Sequence, residues 1–261
     1  MTPLPFFQVD AFASRAFEGN PAAVMPLTEW LPDATLQSIA AENNLSETAF
    51  TVPSERSDAD YNLRWFTPTV EVDLCGHATI ASGHILIRGS MVRFATRSGI
   101  LTVTRDGDLL RLDLPAHKVE QGIEPGLLDA LSLPADTPTY LGRSGNGSAI
   151  ALLADEAAVR AVAPDFAALR TIDRLVIVTA PGDDTAVTSR VFAAYHGIDE
   201  DPVTGAAHAA LVPFWSERLG RDRFTALQAS KRGGHLDCEV KRDRVILGGH
   251  CVTVIEGHFQ L

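Results

Sequence analysis

Arg64-Trp65-Phe66 leads through a polar turn to Gly76-His77-Ala78-Thr79-Ile80-Ala81, and Arg190-Val191-Phe192 leads through another to Gly205-Ala206-Ala207-His208-Ala209-Ala210. In each stretch a short apolar strand is followed by a helix rich in alanine that opens on a glycine. The two glycines stand almost half the chain apart, so the pair reads as an internal repeat. Similarity over so few residues arises by chance, and the surroundings have to decide.

The surroundings match. Upstream of the first copy, Leu36, Ile39 and Ala40 give a helical spacing that Pro32-Asp33 starts, with Asp33 as N-cap. The strand Thr48-Ala49-Phe50-Thr51-Val52 follows, stopped by Pro53. Upstream of the second, Ala157 to Leu169 reads as one helix and Leu175-Val176-Ile177-Val178 as a buried strand. Downstream of each central helix come hairpins: Ile100 to Thr104 turns at Asp106-Gly107 into Leu109 to Leu112, and Cys238 to Val240 is followed by Val245 to Leu247 and Cys251 to Ile255. Small residues at Ala78, Ala81, Ser82 and Gly83 let strands come close to the first central helix. The pattern implies an α+β fold of two similar domains, each a curled, barrel-like mixed sheet around a central helix. The halves are drawn at 1–115 and 116–261, with room for the last strand to return to the first half.

Composition limits the function. With 46% hydrophobic and 21% charged residues the 261-residue chain can bury a substantial core. No apolar run of about 18 residues suggests a membrane span, and the N-terminus lacks the pattern of a signal peptide. The net charge of -11 disfavours nucleic acid and anionic membranes as partners. Three cysteines at uneven spacing, Cys75, Cys238 and Cys251, suit a reducing cytoplasm.

The two helix starts are the first chemical candidates. Unpaired N–H groups and a partial positive charge collect there, and glycine lets an anion approach, so Gly76, Gly205 and Ala206, with Cys75 and Thr204 just before the glycines, become substrate-binding candidates. The plainer reading is that the glycines only permit tight turns. Glu47 lies between a helix end and an apolar strand, placed for proton transfer or simply as a surface glutamate. Asp201 belongs to an acidic turn, Asp199-Glu200-Asp201, that is either solvent-exposed or turned inward beside the second helix. His77 could donate to a substrate or satisfy a structural bond. Cys75 before the first glycine is matched by Thr204 before the second, an asymmetric pair in which the cysteine is a base or an inert buried thiol. His235, Cys238, His250 and Cys251 look like ordinary hairpin residues rather than zinc ligands, so no metal is expected. Neither a dinucleotide fingerprint nor a P-loop is present, and no cofactor is expected.

Several of these segments together resemble the phenazine-biosynthesis PhzF-like isomerase family: Asp10-Ala11-Phe12, Glu18-Gly19-Asn20-Pro21-Ala22-Ala23-Val24, Asn44-Leu45-Ser46-Glu47-Thr48-Ala49-Phe50, Phe66-Thr67-Pro68, Asp73-Leu74-Cys75-Gly76-His77-Ala78-Thr79 and Glu200-Asp201-Pro202-Val203-Thr204-Gly205-Ala206-Ala207. They run in order along most of the chain. The resemblance implies a diaminopimelate epimerase-like fold, an active site between the two domains, a homodimer and no cofactor. It implies that Glu47 transfers the proton, with His77 and Asp201 as its catalytic partners. Better-characterised members isomerise trans-2,3-dihydro-3-hydroxyanthranilate. Family members commonly carry serine where this chain has Ala206, which puts the substrate in question more than the chemistry. The leading expectation is a cytoplasmic isomerase that moves a proton within a small cyclic or unsaturated carboxylic acid. The alternatives are an epimerase or dehydratase of an amino-acid derivative that uses Cys75 and Thr204, and a non-catalytic small-acid-binding protein.

Overall fold

The computed structural model describes residues 3–142 and 147–261. The chain divides into two compact units, Met1–Leu114 with Leu247–Leu261, and Pro115–Ile246. The closing segment therefore belongs to the first unit.

In the first unit β1 (Leu4–Ala11) pairs antiparallel with β2 (Asn20–Pro26). Helix α1 (Asp33–Asn43) then crosses over to β3 (Glu47–Pro53), which lies parallel to β2. β4 (Tyr61–Phe66) returns antiparallel to β3, and the two-residue β5 (Glu71–Val72) folds back on it. Helix α2 (Gly76–Leu86) follows, and then β6 (Met91–Thr96) parallel to β4. The hairpin of β7 (Gly99–Asp106) and β8 (Leu109–Pro115) extends the sheet.

The second unit repeats this order. After β9 (Val119–Gln121) and the short α3 (Leu127–Ala130), β10 (Thr139–Gly142) pairs antiparallel with β9 and with β11 (Ser148–Leu152). Two short helices, α4 (Glu156–Ala161) and α5 (Phe166–Leu169), make the crossover to the parallel strand β12 (Leu175–Pro181). β13 (Val187–Ala193) and β14 (Ile198–Asp201) fold back antiparallel. Helix α6 (Gly205–Leu219) leads to β15 (Arg223–Gln228), parallel to β13, and to its antiparallel neighbour β16 (Gly234–Lys241). β17 (Arg244–Gly249) and β18 (Cys251–Phe259) end the chain, with β18 antiparallel to β1. The repeat is thus one of topology, including which strand pairs are parallel.

Strand pattern reports how each sheet is covered. β7 and β8 alternate between buried and open positions, as strands with one wet face do. β3 and β12 are buried through five consecutive residues each, because layers lie on both sides. Phe50, Val52 and Phe66 pack with Leu36, Ile39 and Ala40 of α1 on one side. The opposite side of β3 meets α2, which also touches β1, β2, β7 and β18. Gly83 makes this approach possible, since a Cβ there would sit 2.6 Å from a methyl carbon of Val103. In the second unit Val159, Val162 and Leu169 pack with Val176, Val178 and Phe192, while Trp215 of α6 reaches β12 with a 3.0 Å hydrogen bond from its indole N–H to Thr179 Oγ1.

Two local expectations need correction. Asp33 is the first helical residue rather than the N-cap; Pro32 holds that place, its carbonyl accepts from Thr35 and Leu36, and the Asp33 carboxylate turns to Arg64 instead. The single helix expected from Ala157 to Leu169 is broken after Ala161, and Pro164 lies in the gap. Proline cannot donate to a helical bond and pushes its predecessor out of the helical region. Asp165 then restarts the chain by accepting from the amides of Ala167 and Ala168.

Candidate active site

Gly19 delivers the first component. It sits at φ +63°, and a Cβ there would lie 2.1 Å from the carbonyl oxygen of Ala11. Only glycine permits this turn. It releases the chain into β2, so that fully buried Asn20 comes 3.2 Å from His77 Nδ1 through its amide nitrogen.

Glu47 opens β3 and His77 is the second residue of α2. Glu47 Oε2 stands 3.1 Å from His77 Nε2. The approach is poorly aligned for a hydrogen bond, and both buried atoms lack a hydrogen-bonding partner among the described residues. Leaving such atoms unmade costs about 1–3 kcal/mol each. Cys75 Sγ meets the other ring nitrogen, Nδ1, at 3.5 Å.

The electrostatics divide these three groups. Burial pushes the Cys75 thiol up to about 11, and the Glu47 charge adds to it, so the sulfur stays protonated near neutrality. Burial lowers the His77 pKa, and the charges of a Cys75 thiolate and of Glu47 raise it above its usual value; with the thiol protonated, only the Glu47 charge remains to raise it. With Nδ1 accepting from the Asn20 amide, the ring proton sits on Nε2, facing the Glu47 carboxylate. Glu47, Cys75 and His77 also place three potential metal-ligand atoms within 4.8 Å of one another, the sole such group among the described residues. A metal bound here would have to displace the thiol proton.

Helix α2 starts without a side-chain cap, and its first intrahelical bond runs from Thr79 N to Cys75 O. The amides of Gly76, His77 and Ala78 precede that bond and point out of the helix start. The N-termini of α4 and α5, by contrast, are closed by the carboxylates of Asp155 and Asp165.

In the second unit Asp201 ends β14 and is buried rather than solvent-exposed. Its orientation follows from its neighbour. Glu200 faces the other way and holds Arg190 through two bonds of 2.7 and 3.0 Å, as Glu71 holds Arg64 at 2.7 and 2.8 Å in the first unit. Strand alternation then turns Asp201 inward, where Thr204 Oγ1 donates to its Oδ2 at 2.5 Å. Gln228 completes the group. Its Oε1 accepts from Thr204 N at 2.8 Å, and its Nε2 donates to Asp201 O at 2.7 Å and Thr204 Oγ1 at 3.1 Å. Thr204 is the N-cap residue of α6, but its hydroxyl serves Asp201 instead of the helix. The first intrahelical bond of α6 runs from His208 N to Thr204 O, so the amides of Gly205 and Ala206 stand ahead of it.

The sequence-predicted residues thus form two groups. Glu47, Cys75, Gly76 and His77 lie together in the first unit, and Asp201, Thr204, Gly205 and Ala206 in the second. Asn20 and Gln228 escaped sequence reasoning. Each had a signal: Asn20 starts an otherwise apolar strand, and Gln228 follows Phe224 and Ala226 on the buried face of β15.

Comparison with known proteins gives the family. The sequence profile of the PhzC-PhzF family, phenazine biosynthesis-like protein, matches residues 9–257. The chain belongs to the phenazine biosynthesis-like family. An uncharacterized isomerase of Pseudomonas aeruginosa is 47% identical to it over 99% of both chains. The crystal structure of a PhzF-family protein from Enterococcus faecalis superposes with a TM-score of 0.91 at 44% identity, covering 100% of each chain. A predicted epimerase from Pseudomonas aeruginosa has a TM-score of 0.77 at 21% identity over 99% of each chain and shares the fold. The motif residues of this family now have physical roles. Thr67 of Phe66-Thr67-Pro68 accepts from the amides of Thr69 and Val70 and so shapes the turn into β5. Asp10 accepts from Phe17 N at 2.8 Å and so fixes the loop that ends at Gly19. No helix among the described residues is long and apolar enough to cross a membrane.

Proposed function

We propose that this PhzF-family chain is a cofactor-independent isomerase that moves a proton within a small cyclic or unsaturated carboxylic acid, of the trans-2,3-dihydro-3-hydroxyanthranilate isomerase type. The observation that carries the reading is the Glu47–His77 contact: two buried groups 3.1 Å apart, each with the facing atom unbonded, beside an uncapped helix start. The relatives' naming as isomerases supports the same class.

Glu47 takes the proton from a substrate carbon and returns it to another carbon on the same face. Its Oε2 faces His77 Nε2 at 3.1 Å, which leaves Oε1 to meet the C–H. The His77 proton stabilises the carboxylate between turnovers, and Asn20 and Cys75 keep the ring in place. The amides of Gly76 and His77 accept the substrate carboxylate, with those of Gly205 and Ala206 as the second half's donors. Ala206 in place of serine removes a hydroxyl but leaves its backbone N–H. Asp201 accepts from a hydroxyl or amine of the substrate. A homodimer in the cytoplasm completes the reading; light scattering that gives a monomer mass would remove the dimer from it.

The alternative with Cys75 and Thr204 as paired bases is less well supported. Burial keeps the thiol protonated, and the Thr204 hydroxyl is committed to Asp201. The test of substrate class is turnover of trans-2,3-dihydro-3-hydroxyanthranilate alongside a panel of small unsaturated and amino carboxylic acids. Isomerised product from at least one unsaturated acid is expected. Epimerisation of a saturated amino acid with no isomerisation would overturn the reading, and binding without any turnover would leave a small-acid-binding protein.

A further inference from the structure

Gln228 is fully buried and spends its whole side-chain amide on one turn. The orientation of that amide is fixed by its neighbours. The backbone N–H of Thr204 can only donate, so the atom facing it is Oε1. The backbone carbonyl of Asp201 can only accept, so the atom facing it is Nε2. Both amide hydrogens are then assigned, one to Asp201 O at 2.7 Å and one to Thr204 Oγ1 at 3.1 Å. Thr204 Oγ1, already an acceptor from Gln228, turns its own hydrogen to Asp201 Oδ2.

From this chain of bonds we infer that Gln228 is a positioning residue that fixes Asp201 as an ionised, accepting carboxylate. The polarity runs in one direction, from Gln228 Nε2–H to Thr204 Oγ1–H to Asp201 Oδ2. A protonated Asp201 keeps this bond only with its proton on Oδ1, and the donation from Thr204 is stronger to the charged carboxylate, so the chain of bonds favours the ionised form. Polar networks of this kind reinforce one direction of donation. The inference rests on the proposed function in one respect, that Asp201 meets the substrate. It then separates the two carboxylates: Glu47, beside His77, changes protonation state during turnover, and Asp201 does not. Asp201 therefore serves by binding a donor group of the substrate, and Gln228 acts on catalysis only through it.

The test reads Asp201 directly, by following its side-chain carboxyl carbon by NMR in isotopically labelled protein as pH is lowered. In wild type Asp201 stays ionised to a lower pH than in Gln228→Leu, which removes the donor, and Gln228→Glu raises the midpoint further by placing a second carboxylate in the chain. Where Gln228→Leu fails to fold, Thr204→Val interrupts the same chain one bond later and raises the midpoint, and Thr204→Ser restores it. In turnover the Gln228 variants raise KM by about tenfold or more while kcat moves less, as expected for a lost binding contact. An Asp201 midpoint that stays the same in folded Gln228→Leu and Thr204→Val would overturn the inference. The titration needs no substrate, so it judges Gln228 even if Glu47→Gln retains full activity and the proposed function falls.

Discussion

Aligned at Gly76 and Gly205, helices α2 and α6 satisfy their first carbonyl by the same device and differ at the positions that could move a proton. Thr79 Oγ1 donates to Cys75 O, and His208 Nδ1 donates to Thr204 O, in each case from four residues further on. The strands feeding them share a register as well: Thr48 faces Phe66 as Val176 faces Phe192, and Val72 faces Trp65 as Asp201 faces Val191. On that register Glu47 corresponds to Leu175, His77 to Ala206, Cys75 to Thr204 and Val72 to Asp201. Even the buttress repeats, with the Arg64 and Arg190 guanidinium carbons each 5.1 Å over a phenylalanine ring two residues on. The scaffold has stayed the same while the chemical load has diverged. The first half carries a carboxylate and an imidazole, and the second a single carboxylate held by hydrogen bonds. A racemase that draws a proton from one face and supplies another to the opposite face needs two proton carriers. A transfer within one substrate needs only one.

The largest effect should come from removing that one carrier. Glu47→Gln keeps the shape and loses the base, and isomerase turnover should fall by about 10²–10⁴-fold. Adding Leu175→Glu, which plants a carboxylate at the matching position of the second half, should not rescue it, since Ala206 offers no imidazole partner. Steady-state kinetics on the single and double variants check both statements. Asp201→Asn removes a charge-assisted acceptor, worth about 1.5–3 kcal/mol, and should lower kcat/KM by about 10- to 100-fold.

Most of this division was legible in the sequence, for a physical reason. Backbone repetition shows through residues that geometry demands: the Arg-x-Phe buttress, the glycine opening each central helix, and Pro53 and Pro181 at the ends of two matching strands. Glu47, His77 and Asp201 were candidates because they stand at the edges of such signals, and their roles came only with the family resemblance. Asn20 and Gln228 could not be, because a buried amide has no sequence partner; its meaning lies in what long-range packing brings to it, 57 residues away for Asn20 and 24 for Gln228. The misplaced cap at Asp33 has the same origin. Its carboxylate is drawn 2.8 Å from Arg64, 31 positions along the chain, which local propensity does not see.

The comparison also predicts a difference in pH behaviour between the two helix starts. Burial lowers His208 to about 4, against about 6.5 in an unfolded chain. The unfolded state therefore binds a proton that the folded state refuses between those values, and stability falls as pH drops from about 6.5 to about 4. The contribution reaches about 3 kcal/mol. His208→Thr borrows the device of Thr79 and should abolish that part of the pH dependence while leaving turnover at neutral pH nearly unchanged. Denaturant melts at a series of pH values would show it. A slope of unaltered size in the variant would mean that another group titrates.

The smallest effect is expected at the most conspicuous residue. Cys75→Ser replaces a thiol that burial keeps protonated, and turnover should change by less than about threefold if proton transfer belongs to Glu47. A loss comparable to that of Glu47→Gln would move the chemistry to the sulfur.

The central claim, one proton carrier acting on one face, is tested most directly by running the isomerisation in D₂O and locating the label by NMR and mass spectrometry. The account predicts that wild type delivers hydrogen to the new carbon on the same face from which it was removed, with deuterium entering only to the extent that Glu47 exchanges with solvent. Glu47→Gln should show neither product nor exchange. Full stoichiometric deuterium on the opposite face, or exchange that persists in Glu47→Gln, would contradict it and require a second proton carrier that the second half, as built, does not offer.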